Sequence, residues 1–308
     1  MTPVHYLLGK GKLMRVTRAL VLLGLLLLSG CRRDSPSPPQ SPPTSPHATP
    51  RAQQVPSAQR PATEAVTSTR DDSHLLLGNP SDAQEKAPDN LLLARPQHVI
   101  SYNRSQGGPN WVAWHLDERD LGDTNRSSFR PDPLLPPSWQ IRPSDYKGSG
   151  YDRGHVSPSG DHTRTEADNE ATFVMSNMLP QAPALNQHVW KDLEDQCRDW
   201  AREGKELYII AGGVGSQGRI GNGKINVPEA CWKIVVVLPR GKGDLGRINA
   251  RTPVYAVLMP NRDEKKISSS AWNEHAVSID RLEQFTGYDF LSSVPDDIEK
   301  ALERKVQS

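Results

Sequence analysis

The chain has 308 residues, only 35% of them hydrophobic, and a formal charge of +1, which leaves room for one large domain with appendages or for two small ones. So small a net charge excludes a binder that holds polyanions by bulk attraction, so nucleic-acid contact would need locally concentrated cations. The 27 prolines exclude one uniform compact fold, because nine of them fall between Pro36 and Pro61.

The N-terminal run "MRVTRALVLLGLLLLSGC" has a basic start, an apolar stretch from Ala19 to Leu28 and small residues before Cys31. That is the layout of a signal peptide, and the run is short for a membrane span. The residues before Met14 are atypical of such a signal, which makes Met14 an alternative start. Leu28-Ser29-Gly30-Cys31 resembles a bacterial lipobox, with cleavage before Cys31 and lipidation of its sulfur; a plain secretory signal with an ordinary Cys31 thiol is the alternative. Residues 1–30 carry Lys10, Lys12, Arg15 and Arg18 and no acid, so their removal takes the formal charge from +1 to −3. Residues 31–73 contain the Pro-rich stretch and almost no large apolar side chains. They cannot bury enough surface to offset their ordering entropy and read as a disordered, semi-extended tether.

From residue 74 to 308 the composition is globular. "WVAWHL" (111–116), "ELYIIAGG" (206–213), "WKIVVVLP" (232–239) and "PVYAVLMP" (253–260) predict strands, being rich in β-branched and aromatic residues and closed by Gly or Pro. "NQHVWKDLEDQCRDWAREGK" (186–205) predicts a helix with Val189, Leu193 and Trp200 on its apolar side, Asn186 as a candidate N-cap and Gly204 as its stop. Ser278 and Gly287 are placed to cap a helix in "IDRLEQFTG", and "PDDIEKALERK" (295–305) predicts a closing helix with acids first and bases last. Strands and helices without a regular βαβ rhythm indicate an α+β fold, a mixed or antiparallel sheet core flanked by helices. Apart from Cys31 the cysteines are Cys197 and Cys231; in an exported chain they can form one disulfide or remain two thiols, and both readings stay open.

Chemistry concentrates in "SGYDRGHVSPSGD" (149–161), where an Asp, an Arg and a His occupy four residues between glycines and a proline. An imidazole with such polar sequence neighbours reads as one that reaches water. Along the following helix Asn186, Glu194 and Arg198 fall at multiples of four and face the same general way. Together with His155 they would give a metal ligand, a carboxylate, a base and a cation, a set suited to phosphodiester hydrolysis. Two other patterns carry less. "GRIGNGK" (218–224) satisfies the spacing of a P-loop, but Ile225 stands where Ser or Thr would bind Mg²⁺ and a strand-like run follows, so a β-loop is expected. The histidines and cysteines show no zinc-site spacing.

The segment from Tyr151 to Ala201 resembles the core of the DNA/RNA non-specific endonucleases, the sugar-non-specific ββα-metal (His-Me finger) nucleases. The DRGH tetrapeptide, "SNMLPQ" (176–181) and the eight-residue step from Asn186 to Glu194 carry the likeness. It extends from "HLLLGNPS" (74–81) to "TGYDFLSSVP" (286–295) and so covers essentially the whole globular part. The resemblance implies His155 as general base on the first strand of the finger and Asn186 as the direct protein ligand to Mg²⁺, with Mn²⁺ as a substitute. It further implies Glu194 holding metal-bound waters, and Arg153 and Arg198 on the scissile phosphate. Arg126 would contact substrate too, through an alignment that needs a one-residue gap, with Asn177 and Gln181 hydrogen-bonding near the site. The implied substrates are DNA and RNA, cut with little base preference to leave 5′-phosphates, which fits a site that reads the backbone. The signal-like segment and lipobox add an extracytoplasmic setting, with a lipid anchor at Cys31 joining the enzyme to a membrane, and a proteinaceous inhibitor is a candidate partner. The rival reading is a nucleic-acid-binding lipoprotein of the same fold without turnover.

Overall fold

The computed structural model describes residues 73–307. The signal-like segment, nearly all of the Pro-rich tether and Cys31 lie outside the described residues. The strands are β1 (Leu91–Ala94), β2 (Val99–Asn103), β3 (Gly108–Leu116), β4 (Asp152–His155), β5 (Met178–Gln181), β6 (Lys205–Val214), β7 (Arg219–Ile220), β8 (Ile225–Asn226), β9 (Ala230–Pro239) and β10 (Val254–Pro260). The α-helices are α1 (Glu166–Thr172), α2 (Trp190–Arg202), α3 (Asp244–Arg247), α4 (Lys265–Ser268), α5 (Ile279–Thr286) and α6 (Asp296–Glu303).

Six strands form one antiparallel sheet in the order β1-β2-β3-β6-β9-β10. Side chains alternate between its faces, so each long strand feeds two cores. On β9, Cys231, Val235 and Val237 face one core while Trp232, Ile234, Val236 and Leu238 face the other. The first core is closed by α2 through Trp190, Leu193, Cys197 and Ala201. The second is closed by Ile279 and Leu282 of α5, Phe290, Leu291 and Val294 of the following turn, and Leu302 of α6. Burial of both faces explains why "YII" and "KIVVVL" read as continuous apolar runs rather than as alternating ones.

The caps follow the sequence. The Ser278 hydroxyl accepts from the Arg281 N–H at 3.2 Å, and Gly287 closes α5 in the left-handed region at φ 71°. Gly204, at φ 80°, follows the end of α2. The 218–224 segment is the loop of the β7–β8 hairpin, as expected for a β-loop. Of the two readings left open for the cysteines, the structure has two thiols: Cys197 and Cys231 are separate and buried. Cys197 packs among the apolar side chains of α2, and Cys231 Sγ takes a 3.6 Å contact from Gln181 Nε2. Burial pushes both thiols up to about 12, so they behave as small apolar groups.

Candidate active site

The DRGH segment is β4. It pairs antiparallel with β5, Asp152 opposite Gln181 and His155 opposite Met178, and the chain then runs directly into α2. This ββα unit carries His155 on its first strand, Asn186 in the turn before α2 and Glu194 on α2 itself.

His155 is 8% exposed, and its spatial neighbours differ from its sequence neighbours. Its ring packs against Phe173, with centroids 4.8 Å apart, and against Phe129, at 5.4 Å. The expectation of polar surroundings is therefore corrected: two phenylalanines from flanking segments wall the imidazole. Burial, and secondarily the charge of Arg126, push its pKa down to about 3. The ring is neutral throughout the physiological range, and Nε2 has no hydrogen-bond partner among the described residues. The two walls also hold cations. The guanidinium of exposed Arg153 lies 4.4 Å from the Phe129 centroid, and that of exposed Arg126 lies 5.3 Å from the Phe173 centroid. Arg126 also donates to Ser159 Oγ at 2.9 Å. The arginine that rested on a gapped alignment thus stands beside the imidazole.

Asn186 is not an N-cap. It lies within a π-helical turn, Leu185–Val189, that leads into α2, and its backbone N–H bonds to Ala182 O at 2.9 Å. Such wide turns frequently occur at functional sites because they push one side chain out of the helical register. The Asn186 side chain donates through Nδ2 to Asp152 Oδ2 at 2.9 Å, and the same oxygen accepts from Gln187 Nε2 at 2.9 Å. Asp152 thus holds the Asn186 amide in place. With its nitrogen fixed, the amide presents an uncommitted Oδ1, the donor a hard divalent cation prefers. Glu194 accepts no hydrogen bond among the described residues and keeps 13% side-chain exposure. An oxygen-only donor set of this kind, water-accessible and free of sulfur, fits Mg²⁺ or Mn²⁺.

Burial raises Glu194 to about 7, against the opposing charges of Lys233 and Arg198. Lys233 was not legible as a site residue. It sits mid-strand in "CWKIVVVLP", is 1% exposed, and turns the same way as Cys231 and Val235, towards α2. Its Nζ is 3.8 Å from Glu194 Oε1 and 4.3 Å from the Trp190 ring centroid. A lysine inside an otherwise apolar strand was the available signal.

Arg198 does not face the cleft with free arms. Nη1 donates to Asp161 at 2.8 Å and Nη2 to Asp195, and the side chain is 12% exposed. Asp161 is itself buried and accepts from Trp114 Nε1 at 3.0 Å. The expected phosphate contact is therefore corrected to a bracing role beside Glu194, because two of the donors are already committed.

Asn177 and Gln181 are fully buried, which corrects their assignment as substrate contacts. Asn177 donates to Ser157 O and Thr172 O, both at 2.9 Å, and accepts from Ser157 N at 3.0 Å, tying β4 to β5. Gln181 fills the place of a missing side chain at Gly154: a Cβ there would lie 2.6 Å from Gln181 Cγ and closer still to its amide. Gly154→Ala is therefore expected to destabilise the protein by about 1–3 kcal/mol and to lower cleavage with it, because Gln181 has no solvent to retreat into. Thermal melting beside a cleavage assay checks this; a variant with wild-type melting and activity contradicts it.

The profile of the DNA/RNA non-specific endonuclease family matches residues 83–297. A nuclease from Nostoc sp. is 48% identical over 258 residues, covering 82% of this chain and 92% of that protein. Nuclease C1 of Cunninghamella echinulata is 33% identical over 191 residues, covering 56% of this chain and 73% of that protein. Among solved structures, a chain in the crystal structure of the EndoG/EndoGI complex shares the fold, with a TM-score of 0.63 and 22% identity, covering 75% of this chain and 96% of that one.

Proposed function

Since the chain belongs to the DNA/RNA non-specific endonuclease family and is a hydrolytic nuclease, we propose that it is a Mg²⁺-dependent enzyme that works outside the cytoplasm on both DNA and RNA. The observation that carries the cation dependence is the Asn186 amide, turned by Asp152 so that its oxygen is offered. Asn186 would hold the cation directly and Glu194 would orient its waters. Bound there, a divalent cation supplies charge neutralisation at the leaving oxygen.

The remaining chemistry belongs to side chains. His155 is neutral at working pH and takes the proton of the attacking water. Its phenylalanine walls keep the ring in one orientation and exclude bulk water from one side. Arg153 and Arg126 donate to the non-bridging phosphate oxygens, where planar guanidinium geometry suits bidentate recognition. Lys233 and Arg198 favour the ionised form of Glu194 against the effect of burial. None of these groups is arranged to read a base edge, so contacts fall on the backbone that DNA and RNA share.

Export and anchoring rest on the apolar run ending in Leu28-Ser29-Gly30-Cys31, with Cys31 lipidated and residues 31–73 serving as the tether of a 74–308 nuclease domain. About 40 tether residues near 3.1 Å each extend up to roughly 120 Å, enough to sweep a volume around the anchor. A proteinaceous inhibitor remains a candidate partner.

The test is incubation of the enzyme with supercoiled plasmid and with RNA, in Mg²⁺ or in EDTA. Loss of both substrates in Mg²⁺ alone supports the reading. Binding without cleavage under any divalent metal overturns it in favour of a nucleic-acid-binding lipoprotein.

The pH profile distinguishes the two titrating groups. The ionised form of Glu194 is lost as pH falls through about 7, whereas His155 stays neutral far below that. kcat/KM is expected to fall with decreasing pH from about 7, and Lys233→Met to move that limb upward, since Lys233 holds the carboxyl down. A limb that Lys233→Met leaves in place assigns it to another group.

A further inference from the structure

A second cluster of acids lies on the other face of the large sheet, where α5 meets α6. Asp280 and Glu283 stand three residues apart on α5, and Glu303 closes α6. One carboxylate oxygen from each lies within 4.8 Å of the others. Two ligands of a single Ca²⁺, each about 2.3–2.6 Å from the ion, are at most about 5 Å apart, so the three fit one coordination sphere.

Glu303 carries the argument further. It is 7% exposed, and its Oε1 has no hydrogen-bond partner among the described residues. Its side chain also meets that of Glu283 at hydrogen-bond range, and two carboxyl groups so placed, one of them buried, are costly unless a cation or a shared proton lies between them. No basic side chain does so: Lys300 is engaged with Asp296 at 3.2 Å, and Arg281 donates to Gln284 and lies over Phe285. The surrounding charge is acidic, with Asp289 and Glu299 adding to Asp280 and Glu283; together with burial they push Glu303 up to about 8. Glu283 Oε1 also accepts from the Phe290 N–H at 2.9 Å, which fixes one ligand towards the cluster. A second buried group, His115, Asp117 and Glu206, differs in kind: Arg119 already pairs with Asp117, and Arg247 with Glu206 at 2.9 Å.

We propose that Asp280, Glu283 and Glu303 bind a structural divalent cation, Ca²⁺ by preference, that clamps α5 to α6 and is separate from the nuclease centre. Three carboxylates, two of them partly exposed, place its affinity in the range of extracellular modules, about 10⁻⁴–10⁻³ M.

Calorimetric titration of the full chain with CaCl₂, and melting with and without 10 mM CaCl₂, test the site without passing through cleavage. Asn186→Ala removes the catalytic ligand and is expected to keep both the Ca²⁺ binding and a rise in melting temperature of roughly 5 °C. Glu303→Gln is expected to lose the rise and to weaken binding at least tenfold. Glu283→Gln, at a partly exposed position, is expected to do the same and serves if Glu303→Gln does not fold. Asn186→Ala failing to bind Ca²⁺ at 10 mM overturns the proposal and leaves Glu283 and Glu303 sharing a proton. Binding and melting unchanged by both glutamine variants overturns it by placing the ion elsewhere.

Discussion

His155→Ala is expected to lower kcat on plasmid and RNA by about 10²–10⁴ while nucleic-acid affinity stays within a few-fold of wild type. That range is what a positioned general base contributes. The separation of the two effects follows from geometry: the imidazole sits recessed between Phe129 and Phe173, whereas the cations proposed to meet phosphate, Arg153 and Arg126, are exposed on those same rings. Single-turnover cleavage beside equilibrium binding in EDTA measures both. Binding lost in parallel with cleavage means that the ring supports the site structurally; cleavage retained moves the base elsewhere.

Asp152→Ala is expected to weaken the apparent affinity for Mg²⁺ by about 10–100-fold, with kcat approached again at high Mg²⁺. Partners that orient a ligand typically have effects of this size. Asp152 Oδ2 holds both Asn186 Nδ2 and Gln187 Nε2, so its loss frees the amide to rotate or to turn its nitrogen towards the cation. Asp152→Asn is a sharper variant, because it keeps the volume and removes the charge. The Mg²⁺ concentration at half-maximal rate is the readout. An effect on maximal rate alone, not recovered by Mg²⁺, shows that Asp152 acts on something other than the cation site.

The legible parts of this protein were those written in local pattern. β3, β6, β9 and β10 appeared as β-branched runs closed by Gly or Pro, and the Ser278 and Gly287 caps follow from their own chemistry at helix ends. β1 and β2 were not foreseen: β1 is a leucine run without β-branching, and the Val99-Ile100-Ser101-Tyr102 signal of β2 is only four residues long, so both are defined by their pairing with each other and with β3. At the site, the DRGH tetrapeptide singled out His155, but its environment comes from Phe129 and Phe173, which reach it through the fold. Lys233 escaped notice because its partner Glu194 lies on another element and the strand around it is apolar. Asn177 and Gln181 look like turn or substrate-binding amides in sequence; only the backbone groups that Asn177 satisfies and the gap at Gly154 that Gln181 fills show them to be internal. The π-helical turn at Asn186 was equally hidden, since the eight-residue step to Glu194 reads the same in a regular helix.

The central claim is that one backbone-reading site, with His155 as base for water, hydrolyses both nucleic acids. Identifying the ends of the products from a DNA and an RNA oligonucleotide of the same sequence by mass spectrometry tests it most directly. Attack by water with departure of the 3′-oxygen leaves a 5′-phosphate and a 3′-hydroxyl on both substrates, and that is the predicted result. A 2′,3′-cyclic phosphate on the RNA fragments, with the DNA uncut, would show that the ribose hydroxyl is the nucleophile and would contradict the account.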